Sequence, residues 1–129
     1  MKLLFALSLL LATFCVNAQK EIIKDCRSAT VPPETWKPYL TKTLQQTVED
    51  AAYKGIKNGS YKVEVTFIVD KDGIPNFKNA TQKNKNYNFI KACKQTINNG
   101  PTWPIIKDAK GKPVKSLQKT NIMFVINEE

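Results

Sequence analysis

Residues 61–73 read Tyr61-Lys62-Val63-Glu64-Val65-Thr66-Phe67-Ile68-Val69-Asp70-Lys71-Asp72-Gly73, and this stretch decides the fold. Tyr61, Val63, Val65, Phe67 and Val69 alternate with Lys62, Glu64, Thr66, Ile68 and Asp70. A period of two places the first set on one face of a strand and the second on the other. Asp72-Gly73 supplies the positive backbone angles of a tight hairpin, so Ile74 to Ala80 is expected to return as a partner strand. Pro75 has no N–H to give to a ladder, which puts part of that strand at a sheet edge.

On the N-terminal side, Trp36, Leu40, Leu44, Val48 and Ala51 or Ala52 recur at steps of three or four, predicting a helix with one apolar stripe. Thr35 stands where a cap belongs, Pro38 falls in the tolerated first turn, and Gly55 stops the helix. On the C-terminal side Phe89, Ile90, Cys93 and Ile97 predict a second amphipathic helix, closed by Asn98-Asn99-Gly100. A Lys/Asp/Gly/Pro loop follows Trp103-Pro104, and Val114 to Asn127 predicts a last strand with Ile122, Phe124 and Ile126 on one face. The expected fold class is α+β: a three-stranded antiparallel sheet with two helices packed on one face. Residues 19–33, with two prolines and no period, are expected to be a lead-in segment, and 34–129 to form the single domain.

The start of the chain carries an export signal. Lys2 precedes an apolar run from Leu3 to Phe14, and Val16 and Ala18 are the small residues that place a cut before Gln19. The apolar run falls short of the roughly 20 residues that cross a bilayer, so residues 1–18 are expected to be a cleaved signal peptide and no stable membrane span is expected. Lipidation at Cys15 is disfavoured by the bulk of Phe14 before it. A periplasmic or secreted location follows. Two cysteines then remain, Cys26 and Cys93. In an oxidising compartment they are expected to join as a disulfide, the alternative being that Cys93 is a buried apolar residue of its helix stripe.

Across its 129 residues the chain has 20 Lys and Arg against 11 Asp and Glu, a formal net charge of +9, and no histidine. Without histidine, paired carboxylates, a phosphate-cradling glycine loop or a metal-ligand set, no enzyme activity, cofactor or metal is expected. Asp70 and Asp72 are explained by hairpin chemistry. The lysines lack interleaved exposed aromatics for stacking bases, and nucleic acid is not an expected partner of an exported protein. Lys107, Lys110, Lys112, Lys115 and Lys119 are the candidate polyanion-binding residues, for anionic glycolipid or cell-wall polymer. The alternative is a solvated surface that keeps the protein soluble. Trp36 and Trp103 read as core aromatics ahead of ligand platforms.

Five segments together resemble the C-terminal domain of TonB, the periplasmic protein that contacts outer-membrane transporters. They are Ala51-Ala52-Tyr53-Lys54-Gly55-Ile56, Val65-Thr66-Phe67-Ile68-Val69-Asp70 with Asp72-Gly73, Trp103-Pro104, Gly111-Lys112-Pro113-Val114, and Asn121-Ile122-Met123-Phe124-Val125-Ile126. The resemblance runs from about residue 36 to 127 and implies the same α+β fold. It implies a partner too: an extended segment of an outer-membrane transporter or other envelope protein, added to the last strand over Asn121 to Ile126. Ile122, Phe124 and Ile126 are expected in the core, leaving Asn121, Met123 and Val125 as the partner-binding residues. An exposed last strand also offers itself to a second copy, so a homodimer by strand pairing is a further expectation. The family's motor-coupling histidine and proline-rich spacer have no counterpart here, and Thr47-Val48 stands where the family has Tyr-Pro, so energy transduction is not implied. The alternative function, from a different class, is an envelope-associated structural protein attached through its lysines.

Overall fold

The computed structural model describes residues 22–127, so the expected signal peptide and its cut after Ala18 lie outside the described residues. The alternating stretch forms the central strand. In chain order the elements are β1 (Ile23–Asp25), α1 (Trp36–Thr43), α2 (Gln45–Tyr53), β2 (Gly59–Val69), β3 (Pro75–Gln82), α3 (Phe89–Asn98), β4 (Ile106–Lys107) and β5 (Pro113–Ile126). The class is α+β.

The sheet is larger than expected and mixed rather than purely antiparallel. Its order is β1-β5-β2-β3, with β4 paired to the start of β5. β2 runs antiparallel to β5 through eleven consecutive pairs, from Gly59 opposite Ile126 to Val69 opposite Ser116. β3 completes the expected antiparallel trio, with one extra residue, Lys78, where the register slips beside Thr66 and Phe67. β3 is the outermost strand on its side, as Pro75 requires. The two additions are short. β1, inside the expected lead-in, pairs parallel with Lys115 to Leu117, and the Cys26 N–H extends the match by donating to the Leu117 carbonyl at 2.8 Å. Three exposed residues show no face alternation, which is why the strand escapes a periodicity reading.

The face of β2 carrying Val63, Val65, Phe67 and Val69 is buried against the helices, together with Ile122, Phe124 and Ile126 of β5. Phe89 on α3 stacks on Phe124 at 4.4 Å between ring centroids, and Trp103 lies 4.8 Å from Phe67 and 5.1 Å edge-on from Trp36. Both tryptophans are therefore core residues. The expected first helix bends at Leu44 into α1 and α2, yet the stripe survives: Trp36, Leu44 and Ala51 are buried and Leu40, Val48 and Ala52 pack beside them. Thr35 occupies the N-cap position without a side-chain hydrogen bond. At the other end Ile56 N–H bonds Ala51 O and Gly55 N–H bonds Ala52 O, with Gly55 at a φ of 85°. That is the left-handed stop a glycine provides.

The β2–β3 turn is shaped by Asp70, whose Oδ1 accepts from Asp72 N–H at 2.8 Å and Ile74 N–H at 2.9 Å. Gly73 has a φ of 85° and its carbonyl accepts the Trp103 N–H at 2.7 Å, so the hairpin holds the Trp103 backbone against the sheet. A Cβ at position 73 would sit 2.6 Å from the Trp103 carbonyl oxygen. Gly73→Ala is expected to cost at least about 2 kcal/mol, because a disfavoured backbone angle and a backbone clash act together. Urea unfolding followed by tryptophan fluorescence measures this, and an unchanged midpoint would show that the hairpin–Trp103 contact does not matter.

Candidate binding edge

In an antiparallel pair the N–H and C=O of one residue point to the same side, and the side alternates along the strand. On β5 the parity is set by two contacts away from β2: the Leu117 carbonyl accepts from Cys26 N–H, and Lys119 N–H donates to Thr30 Oγ1 at 3.2 Å. Odd-numbered residues of β5 therefore direct their backbone groups outward. Upstream of residue 120 the protein's own chain uses that edge, through β1 and then the Thr30 hydroxyl. The first half of this edge of β5 is thus covered, and the part left open is the second half, which includes the expected Asn121–Ile126 segment. Asn121, Met123 and Val125 come next in parity, and among the described residues no backbone partner meets them.

The expected partner-binding side chains are all exposed, Met123 by 47% and Val125 by 52%, while Ile122, Phe124 and Ile126 are buried. Beside the end of the strand lies a shallow hollow of about 340 Å³ lined by Val48, Glu49, Ala52, Tyr53 and Asn127. α2 packs on β5, and Tyr53 at its end is 89% exposed. An extended chain laid along Asn121 to Val125 thus has an apolar and aromatic neighbour on the helix side.

The candidate lysines do not form one patch. Lys107, Lys110 and Lys112 cluster at the β4–β5 turn, where Asp108 Oδ1 accepts the Lys110 and Lys112 N–H groups at 2.9 Å each. Lys112 and Lys115 join Lys71 and Ile22 around a hollow of about 210 Å³. Lys119 is apart from them, with Nζ 3.7 Å from Glu64.

The expected Cys26–Cys93 bridge is not formed: both cysteines are free thiols. The reason is topological. Cys26 follows β1 at one margin of the sheet, whereas Cys93 is fully buried on α3, which packs on β3 and β2. Two or three strand spacings separate those positions, roughly 10–14 Å, and a disulfide needs Cα atoms within about 7 Å. Burial pushes the Cys93 thiol up to about 12, so it behaves as the small apolar residue of the alternative reading. Denatured without reductant, both Cys26 and Cys93 are expected to alkylate, and in the native state Cys93 is expected to resist. A mass spectrum in which both stay unmodified until reduction would establish the bridge instead.

Sequence reading also missed a polar cluster that steadies the helices. Tyr87, in the β3–α3 connection, donates its hydroxyl to Asp50 Oδ2 on α2, and Lys54 Nζ lies 3.3 Å from the same oxygen and 5.6 Å from the Tyr87 ring centre. The hydrogen bond to Asp50 holds the Tyr87 hydroxyl up at about 12, with burial adding to it, and the Tyr87 and Lys54 contacts hold Asp50 below the usual carboxylate range. A raised folded value means that this contact stabilises fully below the ordinary tyrosine range near 10 and is lost as pH rises through about 12. Asp50→Asn is expected to move the Tyr87 titration down towards 10, as followed by ultraviolet absorbance or NMR. An unmoved titration would mean that the carboxylate is not the cause.

Among the described residues no helix is long and apolar enough to cross a membrane, and no group of three or more His, Cys, Asp or Glu side chains could hold a metal ion. Compared with models of protein families, with curated proteins and with solved structures, the chain matches none of them.

Proposed function

We propose that the protein is an exported protein-binding module that captures an extended segment of an outer-membrane transporter, or of another envelope protein, along the Asn121–Val125 edge of β5. The carrying observation is the row of outward backbone groups at Asn121, Met123 and Val125, set on a strand whose other edge is held by eleven pairs with β2. An incoming strand forms main-chain hydrogen bonds there, and its alternate side chains meet the exposed Met123 and Val125 on one face and the Val48–Ala52–Tyr53 hollow near the other. The resemblance of this strand and its neighbours to the TonB C-terminal domain supports the same partner class.

A second reading rests on the hollow at Lys71, Lys112 and Lys115, where three cations from two turns and a strand converge. It makes the protein an envelope attachment factor for anionic glycolipid or cell-wall polymer, bound at the end of the sheet away from Val125.

One substitution separates the readings. The Val125 N–H points outward, so Val125→Pro removes no ladder bond and is expected to keep thermal stability within about 1 kcal/mol. It is nevertheless expected to weaken recovery of envelope transporters from a membrane extract by tenfold or more, relative to the unaltered chain. Unchanged recovery would refute strand addition at this edge, and recovery of glycolipid or cell-wall material alone would favour the second reading.

A further inference from the structure

The opposite margin of the sheet has an opening of its own. β3 leaves the sheet at Gln82, opposite Val63, while β2 continues for four residues to Gly59. The parity on this side is fixed by the hairpin, where Asp70 N–H donates to the Ile74 carbonyl at 3.0 Å, so even-numbered residues of β2 direct their backbone groups toward β3. Glu64 faces Thr81 in register. Lys62 and Ser60 come next in that parity. The Val63–Gln82 pair turns the Lys83 N–H toward the Lys62 carbonyl, so that the Lys62 N–H and both backbone groups of Ser60 face the place β3 has vacated, with no backbone hydrogen bond among the described residues.

The vacancy has a structural cause. Gln82 is buried, and its side-chain amide donates to the carbonyls of Asn84 and Tyr87 while its Oε1 accepts the Phe89 N–H at 3.2 Å. Three contacts from one side chain turn the chain out of the strand line and into α3. The gap is a hollow of about 380 Å³, lined among others by Ser60, Tyr61, Lys62, Gln82, Lys83 and Asn84. Its charge is one-sided. Glu64, the acid in the lining, has Lys119 at 3.7 Å, whereas Lys62 and Lys83 have no ion-pair partner among the described residues.

We propose that this notch is a second strand-docking site, which takes a short extended peptide segment bearing a carboxylate and adds it to β2 in the line that β3 leaves. Ser60 offers an N–H and a C=O and Lys62 an N–H, enough to hold about three residues of an incoming strand. Lys62 and Lys83 flank the path and select an acidic side chain or a terminal carboxylate. The site lies across β2 from the Asn121–Val125 edge and does not depend on it.

The test uses the full chain against a random-peptide display library, with the enriched peptides then synthesised and titrated. Enriched sequences are expected to share an acidic residue. Ser60→Pro, which removes only an outward N–H, and the double variant Lys62→Glu with Lys83→Glu are each expected to weaken binding on the order of tenfold, while Val125→Pro leaves it unchanged. In the unaltered chain the same titration is expected to shift the Ser60 and Lys62 backbone amide signals, a readout that stands even where Ser60→Pro does not fold. The proposal is overturned by a library that yields no peptide dependent on these residues, or by amide signals that stay put. It is equally overturned if binding survives Ser60→Pro yet is abolished by the charge reversals and by heparin, which is the behaviour of a surface that only attracts polyanions. Loss with Val125→Pro, and with neither notch variant, would place the same peptides on β5 and overturn the notch alone.

Discussion

The pairing of β2 with β5 is the constraint on which the rest of the structure depends. Its register is unbroken from Gly59–Ile126 to Val69–Ser116, so the buried faces of the two strands coincide over their whole shared length. Val63, Val65 and Phe67 of one strand and Ile122 and Phe124 of the other form a single apolar floor, on which α2 and α3 lay their stripes. A slip of one residue would turn all of these to the solvent side. Phe89, which touches Phe124, Tyr61 and Tyr87, locks the floor from above.

What was legible in the sequence is what this floor needs. Alternation over 61–69, the Asp72-Gly73 hairpin, the stripe from Trp36 to Ala52 and that of Phe89 to Ile97 all write burial into residue type, because a half-buried strand or helix must repeat its apolar side chains at a fixed period. The bend at Leu44 escaped notice because the stripe runs straight through it. β1 was illegible for the opposite reason. It buries nothing and exists by backbone pairing alone, which leaves no trace in side-chain pattern. The free cysteines follow the same logic: composition brought Cys26 and Cys93 together, and topology keeps them on different parts of the sheet. Trp103 Nε1 and Gln118 Oε1, buried and without a hydrogen-bond partner among the described residues, have no sequence signal either.

The edge residues were half legible. That Asn121, Met123 and Val125 face outward follows from alternation, but which backbone groups remain available depends on where neighbouring strands stop. β1 ends at Asp25 because the chain turns there. Arg27 grips the Asp25 carboxylate through Nε at 3.0 Å and Nη2 at 2.8 Å, and this hydrogen-bonded pairing pulls the exposed Asp25 down to about 2. β3 ends at Gln82 because that amide is drawn inward. Three polar side chains, Asp25, Arg27 and Gln82, none part of a periodic pattern, thereby stand where β1 and β3 stop and the sheet narrows to two strands at the Ser60–Val125 end.

The parallel sense of β1 gives the molecule a polarity. The chain enters the sheet beside Lys115, with Ile22 next to the Lys112 turn, and the uncovered ribbon lies at the other extremity of β5, about ten residues and roughly 34 Å farther along. Anything joined ahead of Ile22 starts from the rear of the domain. A tether at that point would hold the molecule by its closed end and present the narrow, two-stranded prow to whatever approaches.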